Sequence, residues 1–529
     1  MGEFSAVLAA INAILWHEYV LYAIVGTGIL FTVWSGFSQY WALRHGPAVV
    51  RGSYDDPNDP GAINHFQALS AALSGTVGLG NIGGVALAIA LGGPGAVFWM
   101  WVVGILGMAI KLTEVTMSML YRNTDDPDNP HGGPMWVAAK ALERMNWPRL
   151  GRAIGIIFCL AMITSTITGG NMFQAWNIGE ITQTYFGVPT WMTGIVIAII
   201  VGVVIIGGIK RIGKFTGTVV PIMVVAYLVA GFWVLANNVG QIPEMFALIV
   251  TSAFSTSAAT GAFIGGTVFF GFQIGMKRAI FSNEAGQGSS AMVHAAAKTD
   301  EPVREGVVAG LEPFIDTIVV CTFTALIVLS TGIWNRAPDL AFEESPQFTA
   351  SETGWIVEPT SVGDGDWFAG DSAFMIVRAH DNAQTGDSLH KITGVVEETP
   401  GGLSVRWYPF RSDVEPTLES DGFYRNFVGA TLTAKAFDSV TPGLGKWVVT
   451  IATWLFGLST MIAWSYYGEQ GVVFMGGEKP VLVYKLLYCV LIVVATLGLV
   501  KSDADLDNVI GIGTGVIMFA NIPIIWMFG

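Results

Sequence analysis

Long apolar runs constrain this 529-residue chain more than any other feature of its sequence. Charged residues make up only 12% of the chain, whereas a soluble domain carries roughly 25%. The chain is therefore predicted to be an all-α polytopic membrane protein, which excludes a soluble enzyme. A transmembrane helix needs about 20 mainly apolar residues. We predict eleven such segments, at 19–43, 64–91, 95–121, 152–182, 190–209, 214–237, 256–279, 306–332, 446–468, 481–500 and 506–528, after a short surface helix at 4–15.

Lysine and arginine alternate between successive connections of this prediction. They occur in the connections 44–63, 122–151, 210–214 and 277–305, whereas 92–94 and 183–189 have none. Cytoplasmic loops carry the excess of positive charge. The pattern therefore predicts a multi-pass protein of the bacterial plasma (inner) membrane. Its N-terminus and the 333–440 segment lie outside, and its C-terminus lies in the cytoplasm.

The segment 333–440 differs in composition from the rest of the chain. It holds 17 acidic and 7 basic residues. The stretches 373–378 and 402–408 alternate apolar and polar residues, as half-buried strands do. We predict a small, mainly β extracytoplasmic insertion at 335–425. Its acidity indicates a solvated surface, or alternatively a vestibule that collects cations; a nucleic-acid partner is not expected, because phosphate binding needs a basic face.

Two glycine-rich stretches interrupt the apolar segments. One lies in the second span and contains Gly75, Gly78, Gly80, Gly83 and Gly84; the other covers 259–267 in the seventh span. Non-helical backbone at membrane depth occurs where it is buried in protein or lines a cavity. The alternative is that these glycines only allow close packing between helices.

The positions of the two stretches predict an internal repeat. Each lies in the first span of a set of five, and an odd number of spans makes the two sets enter the membrane from opposite sides. Interrupted helices at matching positions of inverted halves indicate the binding site of a secondary transporter. The predicted divisions are an extra helix at 1–45, a first repeat at 64–237, a second at 256–332 and 446–528, and the insertion at 335–425.

The chain also contains patterns that resemble enzyme motifs. Residues 78–83 match the dinucleotide pattern G-x-G-x-x-G, but no strand precedes them. Residues 208–214 match G-x-x-x-x-G-K, but Phe215 replaces the Ser or Thr that a phosphate loop requires. No nucleophile–base pair or metal cluster is visible in the sequence. We therefore expect no enzyme activity and no organic cofactor.

Several long motifs resemble the alanine or glycine:cation symporter family, also called the sodium:alanine symporter family. They are SGTVGLGNIGGVA at 74–86, GGPGAVFWMW at 92–101, FSNEAGQGS at 281–289, FIDTI at 314–318 and STMIAWSYYGE at 459–469. The resemblance implies a leucine-transporter-type inverted repeat with one extra N-terminal helix. It also implies sodium-driven uptake of small neutral amino acids such as alanine and glycine. Leu79, where many members have Thr, and the insertion are departures from the family pattern.

The first break predicts how an amino acid is held. Backbone N–H groups freed at a half-helix N-terminus favour a carboxylate, which we assign to Leu79 and Gly80, with Gly78 allowing close approach. Acceptors for the ammonium group are expected at Thr76 and around the second break, and on the amides of Asn171 and Gln174. The complete predicted substrate site comprises Thr76, Gly78, Leu79, Gly80, Asn171, Phe173, Gln174, Phe263, Gly265, Thr267, Phe270, Met461 and Trp464, of which Phe173, Phe270, Met461 and Trp464 limit substrate size.

The implied architecture also predicts one sodium site, with sodium as the coupling ion. Its ligands are the backbone carbonyls of Ser74, Val77 and Phe456 and the hydroxyls of Ser459 and Thr460. The alternative is that both hydroxyls bond to the preceding helical turn. A second sodium site is not evident, because no carboxylate appears beside either predicted break. The absence of Asp, Glu and His at the predicted breaks also disfavours protons as the coupling ion.

Charged residues inside the predicted spans have their own interpretation. Lys111 and Glu114 are three positions apart on one helix, so they are expected to pair. Asp316 and Glu284 are assigned to a cytoplasmic gate with Arg278 or Arg304.

The predicted function is sodium-coupled symport of a small neutral amino acid by alternating access. The expected partners are the amino acid, sodium and the lipid bilayer. Two alternatives stay open at this point: a proton-coupled transporter of the same fold, and an ion channel or membrane sensor whose external domain binds the ligand. The sequence does not indicate an oligomeric state.

Overall fold

The computed structural model describes residues 2–56, 58–351, 354–363, 367–427, 429–498 and 503–529. Twenty α-helices account for most of them. They are α1 Gly2–Leu15, α2 Glu18–Trp34, α3 Ser38–Val50, α4 His65–Thr76, α5 Val85–Gly92, α6 Gly95–Tyr121, α7 Pro134–Arg144, α8 Pro148–Ser165, α9 Phe173–Phe186, α10 Thr190–Ile205, α11 Gly208–Asn237, α12 Ile242–Ser252, α13 Val268–Asn283, α14 Ser290–His294, α15 Pro302–Ala309, α16 Thr322–Ser330, α17 Ala430–Asp438, α18 Leu444–Gly476, α19 Val481–Ala495 and α20 Asp503–Phe528.

Three π-helical stretches interrupt or extend these helices, at Gly80–Gly84, Thr166–Met172 and Phe314–Cys321. Such wide turns occur mostly at functional sites. The first precedes α5, the second joins α8 to α9, and the third joins the span of α15 to α16.

Seven helical stretches among the described residues are long and apolar enough to span a membrane, and a bent pair makes eight. The seven are Ala10–Trp34, Gly95–Tyr121, Pro148–Phe186, Gly208–Asn237, Pro302–Ser330, Leu444–Gly476 and Ile510–Phe528. Shorter apolar helices lie at Thr190–Ile205, Val239–Ser252 and Val481–Ala495. The chain is thus a multi-pass, mainly helical membrane protein, as its composition predicts.

The bent pair is the first interrupted helix that the glycines predict. α4 begins at an Asn64 capping box, and the helical stretch from Gly80 leaves its axis by 49°. The side-chain oxygen of Asn81 accepts a hydrogen bond of 2.8 Å from the Gly78 N–H. Gly78 also approaches α18 closely, because a Cβ there would stand 2.7 Å from the Thr460 hydroxyl. The interruption is therefore stabilised by its own side chain and requires glycine at its centre.

The second interruption lies at 284–289 and not at 259–267, which corrects the sequence prediction. α13 ends at Asn283, Glu284 adopts a left-handed conformation with φ of 56°, and α14 begins at Ser290. Residues 253–267 form a loop before α13 in which Ser257 and Gly266 exchange backbone hydrogen bonds. Glycine permits both a tight surface loop and a break inside a membrane, so the glycines at 261–266 did not distinguish the two.

The segment after α16 folds into two antiparallel sheets. The strands are β1 Leu340–Ala341, β2 Phe348–Ser351, β3 Gly354–Val357, β4 Thr360–Ser361, β5 Ser372–Asn382, β6 Asp387–Thr399, β7 Gly402–Trp407, β8 Thr417–Leu418 and β9 Gly422–Arg425. The larger sheet has the order β1-β9-β5-β6-β7-β4, with β8 also paired to β5, and β2 pairs with β3. Both stretches with alternating apolar residues form strands, in β5 and β7, and their inward residues surround Trp407 and Phe423.

This β region contacts the helices through the loop that precedes α13. The Thr267 N–H donates to the Gln384 carbonyl at 3.0 Å, and the Ala262 N–H donates to the Arg336 carbonyl at 2.8 Å. Ala262 and Ile264 also pack against Phe374 and Leu389. The 253–267 loop is therefore the part of the helical region against which the β region packs.

Helix α18 forms the centre of the helical part. It packs against α4, α8, α9 and α11, and 78% of its most apolar stretch is buried, the highest value of any span. Small residues along α18 include Gly457, whose added Cβ would meet Ile178 at 2.7 Å. This close packing brings polar residues of α18 against the interrupted helix α4.

Candidate functional site

The two interruptions meet at a small buried cavity of about 20 Å³. A space of this size holds about one water molecule. It lies against α4, α8, α13 and α18. Its walls are formed by Gly75, Thr76, Gly78, Leu79, Gly80, Ser165, Gly169, Gln174, Phe281, Glu284, Gln287, Thr460, Trp464 and Thr514.

Six of the predicted substrate residues line this cavity. The first interruption contributes the main chain that was expected to face a carboxylate, and α9 and α18 contribute an amide and an indole. The six are Thr76, Gly78, Leu79, Gly80, Gln174 and Trp464. Trp464 packs directly on Gly170, where an added Cβ would stand 2.5 Å from the Trp464 Cβ. The absence of a side chain at Gly170 therefore leaves room for Trp464 at the cavity wall.

Hydroxyl and carbonyl oxygens of α4 and α18 converge beside the cavity. The Ser74 hydroxyl donates to the Ser459 carbonyl at 2.6 Å, and the Thr460 hydroxyl donates to the Ser74 carbonyl at 3.1 Å. The Ser459 hydroxyl donates to the Phe456 carbonyl at 2.9 Å. Carbonyl and hydroxyl oxygens are hard donors, so their chemistry fits a sodium ion. Val77, the fifth predicted ligand, is also buried, and its N–H donates to Leu73.

Three predicted substrate residues lie close to the cavity without forming its wall. Asn171 donates from its amide to the Tyr488 carbonyl at 2.9 Å, so it joins the π-helical stretch to α19. The Phe173 ring stands edge-on to the cavity residue Phe281, with 5.5 Å between centroids. The Met461 carbonyl accepts a hydrogen bond of 2.9 Å from the Tyr488 hydroxyl.

The four predicted residues of the seventh span lie away from the cavity, because the second interruption is not where glycine content predicts it. Thr267 caps α13 by accepting a hydrogen bond from the Phe270 N–H. Phe263 packs edge-on to Trp334, with 5.3 Å between centroids, and Gly265 lies in the loop with φ of 87°. At 1.5 Å per residue, Thr267 lies about 20 Å along the helix from the cavity residue Phe281. The prediction that these four contact the substrate is therefore not met in this arrangement.

The second interruption places a carboxylate at the cavity, which the sequence prediction missed. Glu284 is 1% exposed, lines the cavity and accepts a hydrogen bond from the Ser289 hydroxyl. The expectation that no Asp, Glu or His lies at either break is therefore wrong. Gly286 and Gly288 have φ of 88° and 70°, so the two glycines that flank Gln287 in FSNEAGQGS were the available signal.

Asp316 contacts the other side of the first interruption. It accepts a hydrogen bond of 2.6 Å from the Asn81 amide and one of 2.9 Å from the Ser282 hydroxyl. Its third donor is the Thr317 hydroxyl at 2.8 Å. Asp316 therefore holds the residue whose oxygen caps Gly78, and these partners are neutral groups rather than the arginines of the predicted gate.

The predicted Lys111–Glu114 pair is replaced by contacts between helices. The Lys111 ammonium donates to the Ser290 hydroxyl at 2.6 Å and to Glu312 at 3.3 Å. Glu114 accepts a hydrogen bond of 2.6 Å from the Asn521 amide and one of 3.1 Å from the Gly288 N–H. Packing of α6 against the second interruption offers both side chains partners from other elements, which sequence spacing does not reveal.

Known proteins resemble this chain over most of its length. The model of the sodium:alanine symporter family matches residues 1–354 and 417–529, leaving out 355–416, which contain β4 to β7. The sodium/alanine symporter AgcS of Methanococcus maripaludis is 34% identical over 96% of this chain and 92% of its own length. YrbD of Bacillus subtilis, a putative sodium/proton-dependent alanine carrier protein, is 30% identical over 97% of this chain and 88% of its own length.

Among solved structures, MhsT in complex with L-phenylalanine matches 89% of this chain and 90% of its own, with a TM-score of 0.47 and 12% identity, a likeness too distant to carry an argument. The family model, in contrast, covers the interrupted helix α4, the FSNEAGQGS stretch and α18, from which the cavity is built. The family is one of transporters, and the chain belongs to the sodium:alanine symporter family.

Proposed function

We propose that this protein is a sodium-coupled symporter that imports small neutral amino acids, such as alanine and glycine, by alternating access. The observation that carries the proposal is the convergence of Ser74, Ser459 and Thr460 oxygens beside a buried cavity. An ion held by these oxygens binds the interrupted helix α4 and the central helix α18 together. Sodium binding thereby changes the stability of the closed arrangement around the amino acid.

The amino acid is proposed to lie against the first interruption. Its carboxylate faces the main chain at Leu79 and Gly80, where backbone N–H groups and the helix dipole favour negative charge. Gln174 and Glu284 supply acceptors for the ammonium group. Phe281 and Trp464 are proposed to limit the side chain, so that the site accepts a methyl group and rejects a longer chain.

The membrane arrangement is part of the same proposal. The eight spans identified by length and composition become eleven when Thr190–Ile205, Val268–Asn283 and Val481–Ala495 also cross the bilayer. We propose a five-plus-five inverted repeat preceded by one helix, with the N-terminus and the β region outside a plasma membrane and the C-terminus inside. The alternation of positive charge between loops supports this orientation.

The driving force follows from the charge of the ion. One sodium ion moving down a potential of 100 mV contributes roughly 2.3 kcal/mol, in addition to its concentration gradient. The relatives support this proposal, because AgcS is named a sodium/alanine symporter. YrbD is named for sodium or proton dependence, so sodium and the proton are the two coupling ions to compare.

The test is uptake of labelled alanine into proteoliposomes that contain the full chain. We expect accumulation against the alanine gradient with inward sodium, and none when choline replaces sodium at constant pH. Accumulation that persists in choline and follows an imposed pH gradient contradicts sodium coupling. Alanine-gated current without accumulation supports the channel or sensor alternative. Competition by glycine, but not by leucine, tests the proposed substrate class.

A further inference from the structure

A chain of buried titratable side chains connects the second interruption to the surface near Asp55. Its members are Asp55, His65, Glu305, His294, Glu312 and Lys111, drawn from five separate segments of the protein. Five of the six are at most 1% exposed, whereas the Asp55 side chain is 44% exposed. Buried ionisable groups in a membrane protein are costly and mark ion or proton pathways.

His294 stands at the centre of this chain. Its Nδ1 faces a carboxylate oxygen of Glu305, and its Nε2 faces an oxygen of Glu312 at 2.7 Å. A neutral imidazole carries a proton on only one nitrogen. Two nitrogen–carboxylate hydrogen bonds therefore require one proton more than a neutral histidine between two carboxylates supplies. An imidazole in this position accepts a proton at one nitrogen and releases one from the other.

Glu305 joins the two histidines. One oxygen of its carboxylate faces His294, and the other bonds to Nδ1 of His65. Nε2 of His65 has no hydrogen-bond partner among the described residues, although it is buried. The Asp55 carboxylate oxygen lies 3.6 Å from this nitrogen. The row of titratable side chains therefore ends at a His65 nitrogen without a hydrogen-bond partner among the described residues, close to the Asp55 carboxylate at the protein surface.

The inner end of the chain reaches the cavity. Glu312 accepts a hydrogen bond of 3.3 Å from Lys111, whose ammonium also donates to the Ser290 hydroxyl. Ser290 directly follows Ser289, whose hydroxyl donates to Glu284, the carboxylate that lines the cavity. The other charged groups that act on members of the chain are Asp316 and Glu114 at the inner end, Arg122 beside Glu305, and Arg304 beside His65.

We propose that these six side chains carry a proton between the surface at Asp55 and Glu284 at the cavity. The protein then exchanges one proton for sodium and the amino acid in each transport cycle. The proposal rests on the proposed function. When the ammonium group and the sodium ion occupy the site, Glu284 is ionised beside positive charge. When they leave, an ionised carboxylate alone in a buried site is unfavourable, and Glu284 takes up a proton.

The proton transfers balance along the chain. A proton from water at Asp55 binds Nε2 of His65, whose Nδ1 proton passes to Glu305. Glu305 passes a proton to Nδ1 of His294, and the Nε2 proton of His294 passes to Glu312. Glu312 passes the proton on to Glu284, and the Lys111 ammonium beside Glu312 stays charged. Glu284 releases its proton to the opposite side when the cavity loads again, so one proton moves against the direction of the amino acid.

The experiment measures lumen pH with a trapped pH-sensitive dye during sodium-driven alanine uptake into proteoliposomes. Potassium and valinomycin hold the membrane potential constant. For the unmodified protein we expect the lumen to become alkaline, with about one proton leaving per alanine imported. Because exchange is opposite to alanine in either insertion orientation, mixed orientation does not cancel the signal.

The variant that tests the path is His294→Gln, and the matched control is His390→Gln in the β region. Glutamine retains hydrogen bonding but cannot pass a proton between two ring nitrogens. We expect His294→Gln to lose at least nine-tenths of the proton movement per alanine, while His390→Gln retains it. Equal proton movement in His294→Gln and the unmodified protein overturns the path.

The unmodified protein alone also decides the proposal if His294→Gln does not fold. Sodium-driven alanine accumulation with constant lumen pH overturns proton exchange and leaves the proposed function standing. Failure of the unmodified protein to accumulate alanine contradicts the proposed function instead. Lumen alkalinisation that starts with alanine addition and scales with its uptake supports the exchange.

Discussion

The hydroxyl of Thr460 donates a hydrogen bond of 3.1 Å to the carbonyl of Ser74, although the two residues are 386 positions apart in the chain. The contact joins the central helix α18 to the interrupted helix α4. The Ser74 hydroxyl returns a bond to the carbonyl of the neighbouring Ser459. Ser459 bonds to its own preceding turn, as one alternative for these hydroxyls predicts, whereas Thr460 bonds across the helices; the sodium site itself stays a prediction.

Replacing Thr460 by valine tests the sodium site. The change keeps the shape of the side chain but removes the hydroxyl oxygen. An interaction with a charged group contributes about 1.5–3 kcal/mol. We therefore expect the sodium concentration that gives half-maximal alanine uptake to rise about 10- to 100-fold, as measured in proteoliposomes over a series of sodium concentrations.

The matched control for this change is Thr450→Val on the same helix. Thr450 is also buried, and its hydroxyl has no hydrogen-bond partner among the described residues. We expect its sodium dependence to remain that of the unmodified protein. Equal sodium dependence in Thr460→Val and Thr450→Val would remove Thr460 from the site.

Replacing Trp464 by leucine tests what limits substrate size. Trp464 lines the cavity and is 6% exposed. The smaller side chain enlarges the space beside Gly170. We expect leucine or methionine to inhibit labelled alanine uptake roughly tenfold better than in the unmodified protein, since a methylene group in a pocket contributes about 1–3 kcal/mol. Trp447→Leu, at an exposed position of α18, should keep the original range; a shift in both variants would argue against a role of the cavity wall.

Replacing Asp316 by asparagine tests how the first interruption is held. Asp316 accepts hydrogen bonds from Asn81, Ser282 and Thr317. An amide in its place turns one acceptor into a donor that faces other donors. A buried group left without its partner costs about 1–3 kcal/mol, so we expect alanine uptake at low alanine to fall about 10- to 100-fold. The control is Asp381→Asn on the exposed β region, and uptake equal to that of this control would show that Asp316 does not support the site.

The β region should become more stable as pH rises above 8. Lys391 lies in β6, and its ammonium stands 4.4 Å from the centre of the Phe374 ring. Burial, assisted by the positive charge of Arg336, lowers the pKa of Lys391 to about 8. Between that value and the ordinary value of 10.5, the unfolded β region binds more protons than the folded one, so folding becomes more favourable with rising pH.

Hydrogen exchange of backbone amides in β5 and β6 of the full chain checks this expectation. After correction for the intrinsic rate, protection should increase between pH 8 and pH 10. The Lys391→Met variant removes the charge, so its protection should not depend on pH in this range. A pH dependence that persists in Lys391→Met would assign the effect to another group.

The sequence by itself determined the class of protein and the first interruption. These features are local, because apolar runs of span length and clustered glycines report directly on the chain that contains them. The same local pattern failed at 259–267, where glycine serves a loop beneath the β region. Contacts with the β region, such as the hydrogen bond from Thr267 to Gln384, distinguish that loop from a break inside the membrane.

Tertiary structure alone decided the position of the second interruption, the carboxylate at the cavity and the histidine chain. His65 and Glu305 are 240 positions apart, and no periodicity in either segment predicts that they meet. Their contact arises because the helices around α18 pack closely and leave buried polar groups that must find partners within the protein. Sequence patterns predict helices, whereas packing between helices determines which side chains share a proton or an ion.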